Sequence, residues 1–374
     1  MTITHKTTAR QLGSVLFLLR VATMTLTLPS VIGMPSSQGL WLAGIVGTMI
    51  SLPLLAWMVT LSRVEGLDDV VRISRRLLGP IGGSTVGWLF VLYWLILAAF
   101  QLRYISEAYL TGTMPEAPIV GFMALTALVS AGIARRGIRL IAMMAELIAF
   151  LVLISLLLTI VLPLDVVQLR NLLPVFPEGL RPLMLPTATA VPLFLDMVVL
   201  MMIAPSMTSG VGLMQGTVWS ALVSGAVLTL LIVVVTAVFG PISTALELPA
   251  LSLTRMISIG GVVERLELIT VVSWTFGIGL ALATVFWAAA TASAHLLGLR
   301  CFEPLVYPLG GLAVFLGIRM WPDVGNFDRS TTAISGGLVT SLFILAVLVV
   351  LTVARWLRRW TGGGGGSGRR GETE

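Results

Sequence analysis

Arg20 and Asp196 are the residues from which chemistry can be argued. Each stands near the middle of an apolar run long enough to cross a bilayer, where a charge is costly and usually has a functional reason. Arg20 lies in QLGSVLFLLRVATMTLTLPSVIG, the first such run, and Asp196 in PTATAVPLFLDMVVLMMIAP, the sixth. In a five-plus-five inverted repeat these two charges occupy equivalent depths in the two halves. They then mark a central binding site.

The elements that must position them are membrane helices. Hydrophobic residues make up 57% of the chain, charged residues 11%, and the mean hydropathy is +1.02. A soluble domain carries ~25% charged residues. A helix crossing the hydrocarbon core needs ~20 apolar residues, and segments meeting or approaching this fall at 11–33, 39–61, 83–105, 117–134, 139–163, 186–206, 217–240, 266–296, 303–321 and 333–354. None shows the short alternating pattern of a membrane β-strand. The expectation is an all-α integral membrane protein of ten transmembrane helices, with repeat one at about 11–163 and repeat two at about 186–354. The first run is too long for a signal-peptide core and lacks a small-residue cleavage site.

With the N-terminus inside, fifteen of the 23 basic residues fall on the cytoplasmic side and seven on the other, with Arg20 left in the membrane. That bias predicts both termini in the cytoplasm and an even helix count. Residues 63–79 alternate charge with Val71, Ile73, Leu77 and Leu78, as a short interfacial helix does. Residues 164–185 read as an ordered, irregular outer connection, and 241–265 as a helical hairpin over the outer mouth. The transmembrane domain spans 1–356, and residues 357–374 form a Gly/Arg-rich disordered cytoplasmic tail.

Inverted-repeat transporters bind substrate near the midplane, where broken helices expose backbone N–H and C=O groups. The first run carries Arg20, Thr23, Thr25, Thr27 and Pro29; the sixth carries Thr187, Thr189, Pro192, Asp196 and Pro205. Proline removes a donor and clashes with the preceding turn, so the first and sixth helices are expected to break. The freed groups would suit the amino and carboxylate groups of a small zwitterion. Simple structural kinks, satisfied by neighbouring helices, are the alternative. For Arg20 the alternatives are an internal ion pair with Asp196 or Glu146 and capture of a ligand carboxylate by the guanidinium fork. Glu146 is either a hydrogen-bonded structural acid or, with Asp196, part of a proton or ion pathway.

Other chemistry is excluded by type and spacing. Cys301 is the sole cysteine, so an intrachain disulfide and a cysteine metal cluster are impossible. His295 has no companion ligands for a metal. The net charge of +6 follows from topology and not from nucleic-acid binding. There is no Walker motif, HExxH or nucleophile elbow, and neither an enzymatic activity nor a cofactor is expected. Trp41, Trp88, Trp94, Trp321 and Trp356 fit an interfacial aromatic belt. Tyr93, Phe100 and Phe286 could line a pocket, although packing is the default for each.

Several segments, in order, carry a resemblance. They are Gln11-Leu12 and LPSVIG in the first run, LRYISEAYLTGTMPEAPIV with its Arg-x-x-x-Glu at the end of the third, NLLPVFPEGLRPLM, the FLD of the sixth, and VVERLELITVVSW before the eighth. Over residues 8–356 the chain resembles the spore germination permease family, the B-type membrane subunit of germinant receptors. That family belongs to the amino acid–polyamine–organocation transporter superfamily, with a LeuT-like fold. The resemblance implies a subunit in the inner membrane of bacterial spores that senses a nutrient such as an amino acid. Its partners would be an A-type subunit and a lipoprotein C-type subunit, besides the lipid bilayer. A secondary transporter of amino acids or cations is the alternative within the same fold. Carried onto this chain, the family's pocket falls at Leu19, Arg20, Val21 and Ala22, at Tyr93 or Phe100, at Leu195 and Asp196, and at Ala281 or Thr284. Two residues depart from the family. It commonly has a small or uncharged residue where Arg20 stands, and often glutamate where Asp196 stands. Arg20 therefore suggests either a ligand with an additional acidic group or a pocket closed by an Arg20–Asp196 pair.

Overall fold

Apolar runs with no water to hydrogen-bond their backbone must satisfy it internally, and the chain does so with helices. The computed structural model describes residues 6–24, 38–63, 66–112, 118–173, 181–244, 246, 248–256, 266–322 and 336–362. We label the helices α1 (Ala9–Met24), α2 (Leu40–Ser62), α3 (Val70–Gly112), α4 (Ile119–Ala134), α5 (Ile138–Val161), α6 (Arg181–Leu195), α7 (Gly210–Phe239), α8 (Pro249–Arg255), α9 (Leu266–Leu297), α10 (Glu303–Met320) and α11 (Gly336–Gly362). Among the described residues there is no strand, only an isolated bridge between Thr7 and Met207.

Seven helical stretches among the described residues are long and apolar enough to cross a membrane, and α4 is a shorter apolar helix of sixteen residues. The difference from ten expected spans has a plain origin. α1 is described for sixteen residues only, because 25–37 lie outside the described residues, and α10 carries Glu303 and Arg319 in its end turns. The expected break at Pro29, with Thr25 and Thr27, lies outside the described residues. α11 runs on to Gly362, six residues past the point where the tail was expected to begin, and 363–374 are outside the described residues. Of the expected outer hairpin, the first arm is the short helix α8, packed on α7 and α9; residues 257–265 are outside the described residues. The irregular connection after α5 contains two 3-10 turns, Leu162–Asp165 and Leu169–Leu172. It is moored to α7 where Asn171 Nδ2 donates to the Ala237 carbonyl (2.9 Å).

Packing centres on α9 and α3, which lie against each other, and on α2 against α7. Around them α1 packs on α7 and α6 on α2; α4 packs on α9 and α10 on α3; α5 packs on α9 and α11 on α3; α1 packs on α5 and α6 on α11.

The stretch expected to form an interfacial helix is the first part of α3. It folds over at Gly79, whose φ of 79° lies in the left-handed region that favours glycine. Pro80 follows and starts the membrane-spanning part. The two parts press together so tightly that a Cβ on Gly83 would stand 2.3 Å from Arg75 Cα. Asp69 caps the first part, its Oδ1 accepting from the Val71 and Arg72 backbone N–H groups (3.0 Å each), as an N-cap aspartate does. Its Oδ2 lies 3.2 Å from Arg72 Nε and 3.3 Å from His295 Nδ1 at the end of α9. Arg75 completes the joint by donating to the His295 and Leu296 carbonyls (2.9 and 3.0 Å), groups that a helix C-terminus leaves unsatisfied.

Two outcomes follow. Gly83→Ala should destabilise the detergent-solubilised protein by about 1–3 kcal/mol through overpacking, read as a lowered unfolding temperature against Gly311→Ala, whose Cβ meets nothing within 4 Å. Asp69 provides the pH dependence. Burial raises its pKa, but the contacts with His295 and the Arg72 N–H, and the charges of His295 and Arg72, outweigh burial and bring it below 3.8. A carboxylate depressed in the folded state contributes stability above its unfolded pKa and loses it as pH falls through the folded value. The stability gap between wild type and Asp69→Asn should therefore be full at neutral pH and close below pH 3.8 in melting curves.

Candidate functional site

The sixth apolar run changes from α-helical to 3-10 geometry where its acid stands. α6 ends at Leu195, and a 3-10 stretch, Asp196–Val199, begins at Asp196. One α-helical turn follows at Leu200–Ile203, and another 3-10 turn at Ala204–Ser206. Pro192 and Pro205 flank this region, and each takes an N–H out of the i→i−4 ladder. A 3-10 stretch within a helix marks strain or a hinge. Asp196 keeps part of its surface accessible, while Leu195 and Met197 on either side keep none.

Tyr93 of α3 donates its hydroxyl proton to Asp196 Oδ1 at 2.6 Å. The Tyr93 ring is set by Phe343 of α11, 5.9 Å away. Arg20 comes from α1 and is 3% exposed. Its Cζ lies 4.3 Å from the centre of the Phe194 ring, a cation–π contact. Among the described residues its Nε and Nη1 have no hydrogen-bond partner, and no ion pair joins it to Asp196. The pairing of Arg20 with Glu146 is not made either. Glu146 lies 3.1 Å from Arg10 Nε and accepts from Gln11 Nε2 at 3.4 Å. Ten residues separate Arg10 from Arg20, about 15 Å of helix. The structure thus gives Glu146 an anchoring place at the start of α1, away from Asp196.

The remaining expected residues divide. Leu19, Val21 and Leu195 are buried, next in sequence to the two charges; the side chain of Ala22 lies outside the described ones. Ala281 and Thr284 are buried on α9, which packs on the Asp196–Val199 stretch. The Thr284 hydroxyl is turned back onto the Leu280 carbonyl (2.8 Å). Phe100 stands seven residues from Tyr93, about 10 Å along α3. It belongs to an aromatic cluster, its ring 6.1 Å from Tyr104 and 6.0 Å from Trp321. Phe286 faces α10 at Gly310.

Phe194 and Phe343 were missed as partners of the two charged groups. Nothing in an apolar run distinguishes a ring that meets a guanidinium from one that meets lipid. The contact of Arg103 with Glu107, two buried side chains in an i,i+4 ion pair, was visible as Arg-x-x-x-Glu spacing. The tie at the start of α1 had no sequence signal: Thr7 N–H donates to the Ser206 carbonyl (2.8 Å) and Thr208 N–H to the Thr7 carbonyl (3.3 Å). It joins the ends of α1 and of the broken sixth helix. Among the described residues no group of three or more His, Cys, Asp or Glu could hold a metal.

Among the described residues the chain is helical, with seven helices long and apolar enough to cross a membrane. The fold is shared with the Eremococcus coleocola manganese transporter (TM-score 0.56, 12% identity, covering 97% of this chain and 89% of that one). It is also shared with MhsT in complex with L-phenylalanine (TM-score 0.51, 14% identity, covering 94% and 98%). The chain is therefore a multi-pass membrane protein with the fold of LeuT-type transporters. Residues 6–327 match the family described as spore germination protein, and the chain belongs to that family. Its relatives include spore germination protein KB of Bacillus subtilis (strain 168), 24% identical over 83% of this chain and 84% of that one. Spore germination protein YndE of the same organism is 23% identical over 95% and 98%. These relatives and neighbours are germination proteins and transporters rather than enzymes.

Tyr93→Phe and Asp196→Asn should be non-additive. Tyr93→Phe removes the donor, whereas asparagine still offers an Oδ1 acceptor and only weakens the charge-assisted bond. A double-mutant cycle on unfolding temperature should therefore return a non-zero coupling, which Asp196→Ala, removing the acceptor, should bring above about 0.5 kcal/mol. Additive losses would mean that the bond is not made in the protein.

Proposed function

We propose that this chain is the membrane subunit of a spore nutrient receptor. It binds a small ligand, an amino acid, at the bilayer midplane between Arg20 and the Tyr93–Asp196 pair, and so triggers germination. The observation that carries this reading is the Arg20 guanidinium, buried with two nitrogens unpartnered among the described residues. A buried donor without a partner is expensive, and a ligand carboxylate is the group that would repay it. The Asp196 carboxylate, which accepts from the Tyr93 hydroxyl, is the counterpart for an ammonium group.

Ten transmembrane helices in a five-plus-five inverted repeat are part of the proposal. Exchanging α1 with α6, α2 with α7, α3 with α9, α4 with α10 and α5 with α11 maps α1–α7 onto α6–α2, α4–α9 onto α10–α3, α5–α9 onto α11–α3, and α1–α5 onto α6–α11. Both members of each pair pack together, which supports the repeat. Under this exchange the helices of Arg20 and Asp196 are counterparts. The proposed setting is the inner spore membrane, both termini cytoplasmic, with A-type and C-type subunits as partners. A ligand shifts the packing only by its differential affinity for two states; Arg20, satisfied in one and unpartnered in the other, provides such a difference.

Arg20→Ala should raise the nutrient concentration for half-maximal germination by at least about tenfold, equivalent to ~1.4 kcal/mol, with the protein still inserted in spore membranes by immunoblot. Unchanged sensitivity in a correctly inserted variant would remove Arg20 from the site. Concentrative uptake of labelled amino acid by proteoliposomes of the chain alone would replace the receptor with the alternative, a secondary transporter.

A further inference from the structure

On the membrane face, far along the chain from Arg20 and Asp196, α4 and α10 leave a groove of about 380 Å³ between them. Its wall is made of Ala124, Ala127, Ala131, Tyr307, Gly311 and Val314. The helices run antiparallel: Gly132 stands beside Tyr307, Gly310 beside Ala131 and Gly317 beside Met123. One end of the groove is strongly basic. Arg135 lies with its guanidinium 5.0 Å from the centre of the Tyr307 ring, directly above the apolar wall. Arg136 follows in the short turn before α5, and Arg139 in the first turn of α5. The α9–α10 loop, which carries Arg300, closes onto that turn, Phe302 Cζ lying 3.9 Å from a Cβ on Gly137.

All four arginines are exposed, and none has an ion pair among the described residues. Glu303, in the first turn of α10, is the acid of this corner. It makes no ion pair with any of the four among the described residues. The corner keeps a surplus of positive charge at the head of an apolar slot.

We propose that the α4–α10 groove binds an anionic phospholipid, the phosphate held at the arginine corner headed by Arg135 and one acyl chain laid along the wall. Guanidinium forks match phosphate oxygens in geometry and charge. Basic pockets between membrane helices are the kind of site that takes acidic head groups. The groove adds little by hydrophobicity, since the bilayer is as apolar as its wall. Its contribution is shape, because the small residues leave room for a chain that protein side chains do not fill. Head-group charge therefore decides which lipid stays. A second copy of this chain, or a partner helix, would need no arginines at the head of the slot, and this charge favours lipid.

The test uses the full chain, purified in mild detergent and given equimolar phosphatidylglycerol and phosphatidylcholine, with retained lipid read by native mass spectrometry. Wild type should keep one phosphatidylglycerol, preferred by at least about fivefold, the factor that one arginine near an acidic head group provides. The double variant Arg135→Gln/Arg136→Gln should lose that preference. Gly311→Leu should lose the lipid altogether. Its side chain enters open space, nothing lying within 4 Å of the added Cβ, so it fills the slot without disturbing the fold and its melting temperature should stay at the wild-type value. If the arginine variant fails to fold, Gly311→Leu still decides. Equal retention of the two lipids by wild type overturns the proposal, as does unchanged phosphatidylglycerol in Gly311→Leu. A loss of dimers in Gly311→Leu with lipid retained would give the groove to a second copy.

Discussion

The cost of holding charge away from water governs this structure. A guanidinium or carboxylate in a membrane interior is stable only with partners, and the chain supplies them unevenly. Asp196 has the Tyr93 hydroxyl. Arg103 and Glu107 have each other on one face of α3. Arg20 has the face of Phe194 and, among the described residues, no acceptor for two of its nitrogens. Elsewhere in the interior some serine and threonine hydroxyls are turned back onto their own helices, as those of Ser51, Thr217 and Ser224 are.

The scaffold holds the imbalance in place. α3 and α9 provide Tyr93 and the wall beside Asp196, and they are locked to one another at one end by Asp69, Arg75 and His295. α1 and the broken sixth helix provide the charges. Tyr93 is thus set by the locked pair, while Arg20 and Asp196 stand on α1 and on the run that narrows to 3-10 turns.

Much of the fold was legible because the bilayer leaves few options: long apolar runs read directly as helices, and α2, α5, α9 and α10 begin and end within two residues of their expected limits. α3 was read as two pieces because charge alternation in 70–78 differs from the apolar stretch after Pro80; the helix does fold over at that point. Arg20, Asp196 and Tyr93 could be singled out because ionisable groups stand out in apolar sequence, and the structure brings two of them, Tyr93 and Asp196, together. The specific pairings were not. Glu146 was a candidate partner for Arg20 because both stand in apolar runs, yet their depths differ and Glu146 belongs to Arg10. Phe100 shares a helix with Tyr93 but stacks on Tyr104 and Trp321, because one-dimensional spacing does not say which neighbouring helix a ring will meet. The length of α11 was underestimated, since arginines and tryptophans continue a helix beyond the membrane as readily as they end one.

The bridge between Thr7 and Met207 ties the start of α1 to the end of the run that carries Asp196. The two segments that bring a charge into the apolar interior are therefore stitched together by their own backbone at that end, and neither charge can change its height in the bundle without taking the other segment with it.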